Sequence, residues 1–373
     1  MKIQMVDLHA QYAKMKAEID SSIHETIQQT AFINGPAVKQ FQQNLSSYLN
    51  VNQVITCANG TDALQIAMMA LGLQPGDEVI TTNFTFIATV EVIALLKLKP
   101  ILVDVDPNTF NIDPDKIEQV LTPKTKALVP VHLFGQAADM SKIMKIADKH
   151  KLFVIEDNAQ AIGSDYYMPD GKIQKTGTIG HIGTTSFFPS KNLGCYGDGG
   201  ALMTNDIELG EKLKVIVNHG SKVKYYHEEV GVNSRLDTIQ AAILLVKLKY
   251  LEDYKQARQK AAAYYDKHLA DKTGIQIPVR SSEGNHVFHQ YTLKIEGGKR
   301  DEIKLKLAEK GIPAMVYYPV PLSLQKAFSN YGYKTGDFPI TEKLCEEVLS
   351  LPMHTELDEN QQNFIIDNLL KLI

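Results

Sequence analysis

The chain has few cysteines, no cationic excess and no long apolar run, and each shortage removes a class of function. Cys57, Cys195 and Cys345 are its only cysteines, odd in number and far apart in 373 residues. They form neither a disulfide framework nor a CxxC metal pair, which favours a reducing, cytoplasmic setting. Lys and Arg number 39 against 43 Asp and Glu, a formal charge of −4. Binding to nucleic acid needs a dense basic surface, so that class drops out. Apolar stretches such as Ala241 to Val246 and Ile93 to Leu96 fall far below the ~18–20 residues that cross a bilayer. The opening MKIQMVDLHAQYAKMK has no h-region, so neither export nor membrane association is expected. His132, His219 and His354 stand alone without HExxH-type spacing; each reads as a satisfied or capping histidine, and no metal is expected. With 44% apolar residues and no repeat or low-complexity tract, the chain reads as an ordinary globular protein.

What is present is a steady alternation. Helix patterns cover 10–30 and 37–49. From residue 54 short apolar runs (54–56, 78–82, 101–104, 127–131, 153–156) alternate with amphipathic stretches (63–70, 87–96, 117–121, 141–149). Such alternation predicts an α/β fold with right-handed crossovers and a mostly parallel central sheet. One long helix or two are expected over 235–265, then strands at 291–295 and 314–318 and a helix at 301–310. The change of texture places a domain boundary at residue 250, giving a large domain (1–250, with the N-terminal helices) and a smaller C-terminal α+β domain (251–373).

Four segments carry chemistry. Ala58-Asn59-Gly60-Thr61-Asp62-Ala63-Leu64 is a small-residue turn into a helix start, which serves as an anion cradle or simply as a helix cap. Val154-Ile155-Glu156-Asp157-Asn158-Ala159-Gln160 puts Asp157 at the carboxyl end of a buried strand, where open α/β sheets bind ligands; it too reads alternatively as a cap. The segment from Thr184 to Ala201 holds Lys191 among Phe, Pro, Leu and Gly, without a carboxylate within six residues. Desolvation there lowers an amine's pKa and frees it as a nucleophile. Gly231-Val232-Asn233-Ser234-Arg235-Leu236-Asp237 offers Asn233 and Arg235 to an anion, or a structural cap and ion pair. An Asp at a strand end, a buried Lys 34 residues later and a phosphate cradle upstream are what pyridoxal 5'-phosphate (PLP) requires.

In these segments, and in Asn34-Gly35-Pro36, PGDEVI, PVHLFGQAADM, SFFPSKNLGCYGDGGA, GVNSRLDTIQAAIL and YYPVPL, the chain resembles the DegT/DnrJ/StrS family of PLP-dependent sugar aminotransferases over almost its whole length. The resemblance implies the fold of the aspartate aminotransferase superfamily. It implies Lys191 as the Schiff-base lysine and general acid/base, Asp157 on the pyridine nitrogen and Gln160 on the ring oxygen. It further implies Gly60, Thr61 and Ser186 on the phosphate, and Phe86 on the ring face; by strand period alone Phe86 reads as core. Asn233 would reach across a homodimer interface into the partner's site. Within the family the nearest resemblance is to enzymes that move an amino group from L-glutamate to the 3-keto carbon of UDP-2-acetamido-2-deoxy-glucuronic acid, for surface polysaccharide such as O-antigen. Arg235, Tyr317 and Tyr318 would contact substrate, although such relatives carry His-Tyr-Pro where this chain has Tyr317-Tyr318-Pro319. UDP-3-keto-N-acetylglucosamine and dTDP-3-keto-6-deoxyhexoses are the alternative substrates. A sugar 3-dehydrase, in which His replaces the lysine, is disfavoured by Lys191. A non-catalytic protein that binds PLP or a nucleotide sugar is disfavoured by Lys191, Asp157 and the cradle together.

Overall fold

Hydrophobic residues next to one another in the short apolar runs point to opposite faces of one sheet. In the computed structural model, which describes residues 3–373, helices α1 (Leu8–Gln29) and α2 (Pro36–Leu49) come first, then β1 (Gln53–Cys57) and α3 (Gly60–Ala70). The alternation runs on through β2 (Glu78–Thr82), α4 (Ala88–Leu95), β3 (Lys99–Val103), the single-turn α5 (Pro114–Ile117), β4 (Thr125–Val129), α6 (Met140–His150) and β5 (Phe153–Asp157). A small hairpin of β6 (Asp165–Tyr167) and β7 (Ile173–Lys175) precedes β8 (Ile182–Ser186) and β9 (Gly200–Thr204). The seven-stranded order is β1-β9-β8-β5-β4-β2-β3, and β9 alone runs against the rest. Val79, Ala127 and Ile155 join a core with α3 and α4, whereas Ile80, Leu128 and Val154 join a core with α6. Helices therefore cover both faces, as buried parallel strands require.

Beyond β9 lie α7 (Ile207–Ile216), an exposed hairpin of β10 (Ser221–Val223) and β11 (Tyr226–His227), α8 (Thr238–Leu248) and α9 (Leu251–Leu269). Of the one or two helices expected over 235–265 there are two, parted at Lys249 and Tyr250, and the first starts after Arg235 rather than at it. A second sheet joins β12 (Ile275–Gln276), β13 (Tyr291–Ile295) and β14 (Val348–Leu351) antiparallel. Its core takes residues from α9, α10 (Arg300–Glu309) and α12 (Glu359–Leu370), while α11 (Pro339–Glu347) packs against the large sheet's side through Leu344.

Two sequence expectations fail locally. Residues 314–318 form no strand: only Met315 bridges to Ser350, because Pro313 and Pro319 bracket the segment and cannot donate to a ladder. The helix expected over 117–121 starts earlier, where Asp113 caps Pro114 at the first position, and it tightens to a 3₁₀ turn by Glu118–Val120. Among the described residues no helix is long and apolar enough to cross a membrane.

Candidate functional site

The carboxyl ends of β1, β5 and β8 open into one cavity of about 760 Å³, the crevice where open α/β sheets hold ligands. At one end the chain leaves β1 and turns at Asn59, whose Oδ1 accepts the N–H of Asp62 at 2.8 Å and caps α3. The first-turn N–H groups of Gly60 and Thr61 have no acceptor within the helix. Ser186, at the end of β8, faces them so closely that a Cβ on Gly60 would lie 2.8 Å from the Ser186 Cβ. Gly60, Thr61 and Ser186 therefore form one small, donor-rich concavity, and the simple-cap reading of Asn59 holds beside it rather than instead of it.

At the other end stands Asp157, 5% exposed. Its Oδ2 accepts from the Thr89 hydroxyl at 2.8 Å and its Oδ1 from the Ala159 N–H at 3.2 Å. Its backbone is pinned on both sides, N–H to Pro130 O at 2.9 Å and carbonyl from His132 N–H at 3.0 Å. Gln160 has its Oε1 fixed by the Phe134 N–H at 2.7 Å, which aims the amide nitrogen at the Tyr318 hydroxyl, 3.2 Å away. Phe86, half-exposed, lies against the same Tyr318 with ring centroids 6.4 Å apart. Phe86 is thus cavity wall, not core.

Lys191 lies between these ends and lines the cavity with them. Burial pushes its amine down to about 8, with the nearby Asp157 charge pulling the other way; desolvation wins. No ion pair is formed by Lys191 among the described residues. Tyr317 and Tyr318 complete the wall.

Asn233 and Arg235 are not brought into the cavity. Ser234 between them is fully buried: its hydroxyl donates to Asp62 Oδ2 at 2.6 Å and accepts the Ala58 N–H at 3.0 Å. With Ser234 turned inward, its neighbours point away; Asn233 is exposed, and Arg235 reaches only Asn218 at 3.5 Å. Sequence reasoning missed Ser234, Asp62, Thr89 and His289. Thr89 carried a faint signal as a polar residue within the apolar α4. His132 is satisfied as expected: Nδ1 accepts the Ala138 N–H at 3.1 Å, which leaves Nε2 as donor to Glu156 at 2.8 Å. No group of His, Cys, Asp and Glu able to hold a metal occurs among the described residues.

This donor set fits PLP. Orphaned helix N–H groups and a hydroxyl suit a phosphate, a fixed carboxylate suits a protonated ring nitrogen, and a desolvated amine suits a carbonyl.

The model of the DegT/DnrJ/EryC1/StrS aminotransferase family matches residues 13–370. A protein of Geobacillus stearothermophilus named a pleiotropic regulatory protein is 49% identical, the match covering 99% of this chain and 98% of that one. The UDP-2-acetamido-2-deoxy-3-oxo-D-glucuronate aminotransferase of Pseudomonas aeruginosa is 45% identical over 95% of this chain and 96% of its own. Among solved structures, Bacillus subtilis NtdA with bound cofactor PMP superposes with a TM-score of 0.89 at 36% identity, covering 96% of this chain and 82% of that one.

Proposed function

The chain belongs to the DegT/DnrJ/EryC1/StrS aminotransferase family, and we propose that it moves an amino group from L-glutamate to the 3-keto carbon of a UDP-linked sugar, UDP-2-acetamido-2-deoxy-3-keto-D-glucuronic acid. The observation that carries the transfer chemistry is Lys191, an amine with its pKa lowered to about 8 in the same cavity as Asp157 and the Gly60–Ser186 cradle. The sugar assignment is supported by likeness to the Pseudomonas aeruginosa enzyme. Surface polysaccharide synthesis, such as that of O-antigen, is the use that this product suits.

When bound, PLP supplies a carbonyl that captures the amine and a conjugated ring that accepts an electron pair from the carbon bearing nitrogen. The residues do the rest. Asp157, held by Thr89 and Ala159, would keep a ring nitrogen protonated by its charge. Gln160, with its oxygen already committed to Phe134, presents only N–H donors to a ring oxygen. Gly60, Thr61 and Ser186 would hold the phosphate, and Phe86 would cover a ring face. Lys191 Nζ would take one proton from the substrate carbon that bears nitrogen and deliver it to the former carbonyl carbon of the cofactor, a task suited to a group whose pKa lies near the working pH.

The cavity lining carries Asp62, Asp157 and Asp198 against one lysine and no arginine. An anionic nucleotide sugar and an amino-acid carboxylate need more positive charge than that. The exposed stretch 222–230 carries Lys222 and Lys224 beside exposed Tyr225, Tyr226 and Val230, and the half-buried Arg235 follows it, outside its own cavity. We infer a homodimer with shared sites, in which Asn233 and Arg235 serve the partner's cavity. The same reading assigns residues 1–250 to cofactor binding and 251–373 to a small domain that supplies Tyr317 and Tyr318.

The test runs the reaction in reverse with UDP-linked 3-amino sugars, with and without the C6 carboxylate, and 2-oxoglutarate as acceptor. Preference for the carboxylate-bearing sugar is expected. Equal turnover of both defeats the glucuronic acid assignment in favour of UDP-3-keto-N-acetylglucosamine, and preference for a dTDP-sugar defeats the UDP assignment. A regulatory reading is favoured by the name of the Geobacillus relative. It would prevail if PLP binding produced no visible absorbance band responsive to glutamate.

A further inference from the structure

One cavity residue has no part in the chemistry above. His289 is 6% exposed and lines the same space as Lys191, yet its Nδ1 has no hydrogen-bond partner among the described residues. Buried polar atoms are nearly always paired, so an orphan in a ring that lines a ligand site marks a group that a ligand or a water beside it can partner.

The backbone is arranged to bring the ring there. Phe288, just before it, holds φ at +48°, a region that bulky residues avoid and that clusters at functional sites. Arg258 on α9 is 2% exposed and makes no ion pair among the described residues. Its Nη1 instead donates to the carbonyls of Phe288 at 2.9 Å, His289 at 3.4 Å and Met353 at 3.1 Å. A buried cation is costly unless it is paired or hydrogen-bonded; here three carbonyls take its Nη1, and two of them, of Phe288 and His289, flank the turn. Asn192, next to Lys191, donates to Val287 O at 3.0 Å, so the loops bearing Lys191 and His289 are tied together. Burial, with the charges of Lys191 and Arg258, holds the imidazole well below its ordinary pKa. The ring is therefore neutral, with one donor and one acceptor nitrogen.

Its neighbours on that wall share this character. Gln290, Tyr317 and Tyr318, from the C-terminal part of the chain, are all uncharged hydrogen-bonding groups, whereas Asp62, Asp157, Lys191 and Asp198 all come from the large-sheet side. The charged side suits cofactor chemistry, and the neutral side suits an oxygen-rich group without charge.

We propose that His289 is a specificity-determining residue that hydrogen-bonds an oxygen of the substrate's sugar ring, and that Arg258 is the positioning residue behind it. This rests on the nucleotide-sugar reading. The test is calorimetric titration of the PLP-loaded enzyme with UDP-N-acetylglucosamine and with UDP alone. His289→Phe keeps the ring shape and removes both nitrogens; it should weaken UDP-N-acetylglucosamine about tenfold and leave UDP within about twofold. His289→Asn, which keeps a neutral donor and acceptor, should stay within about threefold of wild type. Arg258→Lys should reproduce the selective loss at unchanged cofactor absorbance. Should His289→Phe not fold, His289→Leu takes its place. If both ligands weaken equally, or neither does, the assignment of His289 is overturned while the nucleotide-sugar reading stands. If the wild type binds neither ligand, the UDP-sugar reading falls and takes this inference with it.

Discussion

Lys191 is a lysine whose environment has been chosen against its charge. Burial lowers its pKa from 10.5 to about 8, over the opposing pull of Asp157. An amine attacks a carbonyl only when unprotonated. Capture of PLP by the apoenzyme should therefore accelerate with pH up to about 8 and level off above it, where an ordinary lysine would still be gaining. Stopped-flow absorbance between pH 6 and 10 reads this directly, and a rate still climbing at pH 10 would contradict it. Lys191→Ala should abolish the visible band. This residue was legible in the sequence because Phe-Phe-Pro before it and Leu-Gly after it left no room for a solvated cation. Thr89, which fixes Asp157, and Ser234, which turns Asn233 and Arg235 outward, were not legible. Each acts on a residue far away in the chain, Ser234 on Asp62 across 172 positions, and spacing carries no trace of such contacts.

At the scale of elements, α8 carries a second lysine with the same shift and no catalytic use. Lys247 is 1% exposed, lies 5.3 Å from the Tyr196 ring centroid, and is pushed down to about 8 by burial. Its folded pKa lies below its unfolded value, so between about 8 and 10.5 the unfolded chain binds more protons and stability rises with pH. Below that window the cost is present in full, on the order of 3 kcal/mol. Lys247→Met should therefore raise stability at pH 7, with the gain fading as the pH approaches 10.5. Urea denaturation at pH 7, 9 and 10.5 measures it, and a loss of stability at pH 7 would show that the ammonium is compensated. Strands such as 78–82 and 291–295 were legible because their apolar pattern and turn borders agree. The expected strand at 314–318 failed because two prolines outweighed its β-branched and aromatic residues, a conflict that composition alone does not rank.

At the scale of the molecule, the inferred homodimer makes a quantitative prediction. Mixing Lys191→Ala with Asn233→Ala chains, each inactive as a pure dimer, should restore about a quarter of wild-type activity after subunit exchange. Half of the dimers are then mixed, and each mixed dimer has one intact site. No recovery would place Asn233 and Lys191 in the same chain's site, and light scattering that gave a monomer would end the argument sooner. The α/β class was visible in the chain's alternation. The reversal of β9 was not, because a strand buried on both faces reads alike in either direction.

That reversed strand bears on the order in which the protein is built. β1 has no neighbour in the large sheet except β9, so Gln53–Cys57 must await residues 200–204 before pairing. The backbone of Asn59 and Gly60 abuts Gly200 so tightly that a Cβ there would lie 2.4 Å from Asn59 C. The cradle is thus among the first parts synthesised and among the last to acquire its shape, since such distant closures are slow to form. In refolding, recovery of helix by far-ultraviolet circular dichroism should precede the capacity to quench PLP fluorescence. A cofactor signal that kept pace with the helices would mean that the cradle forms without its opposite wall.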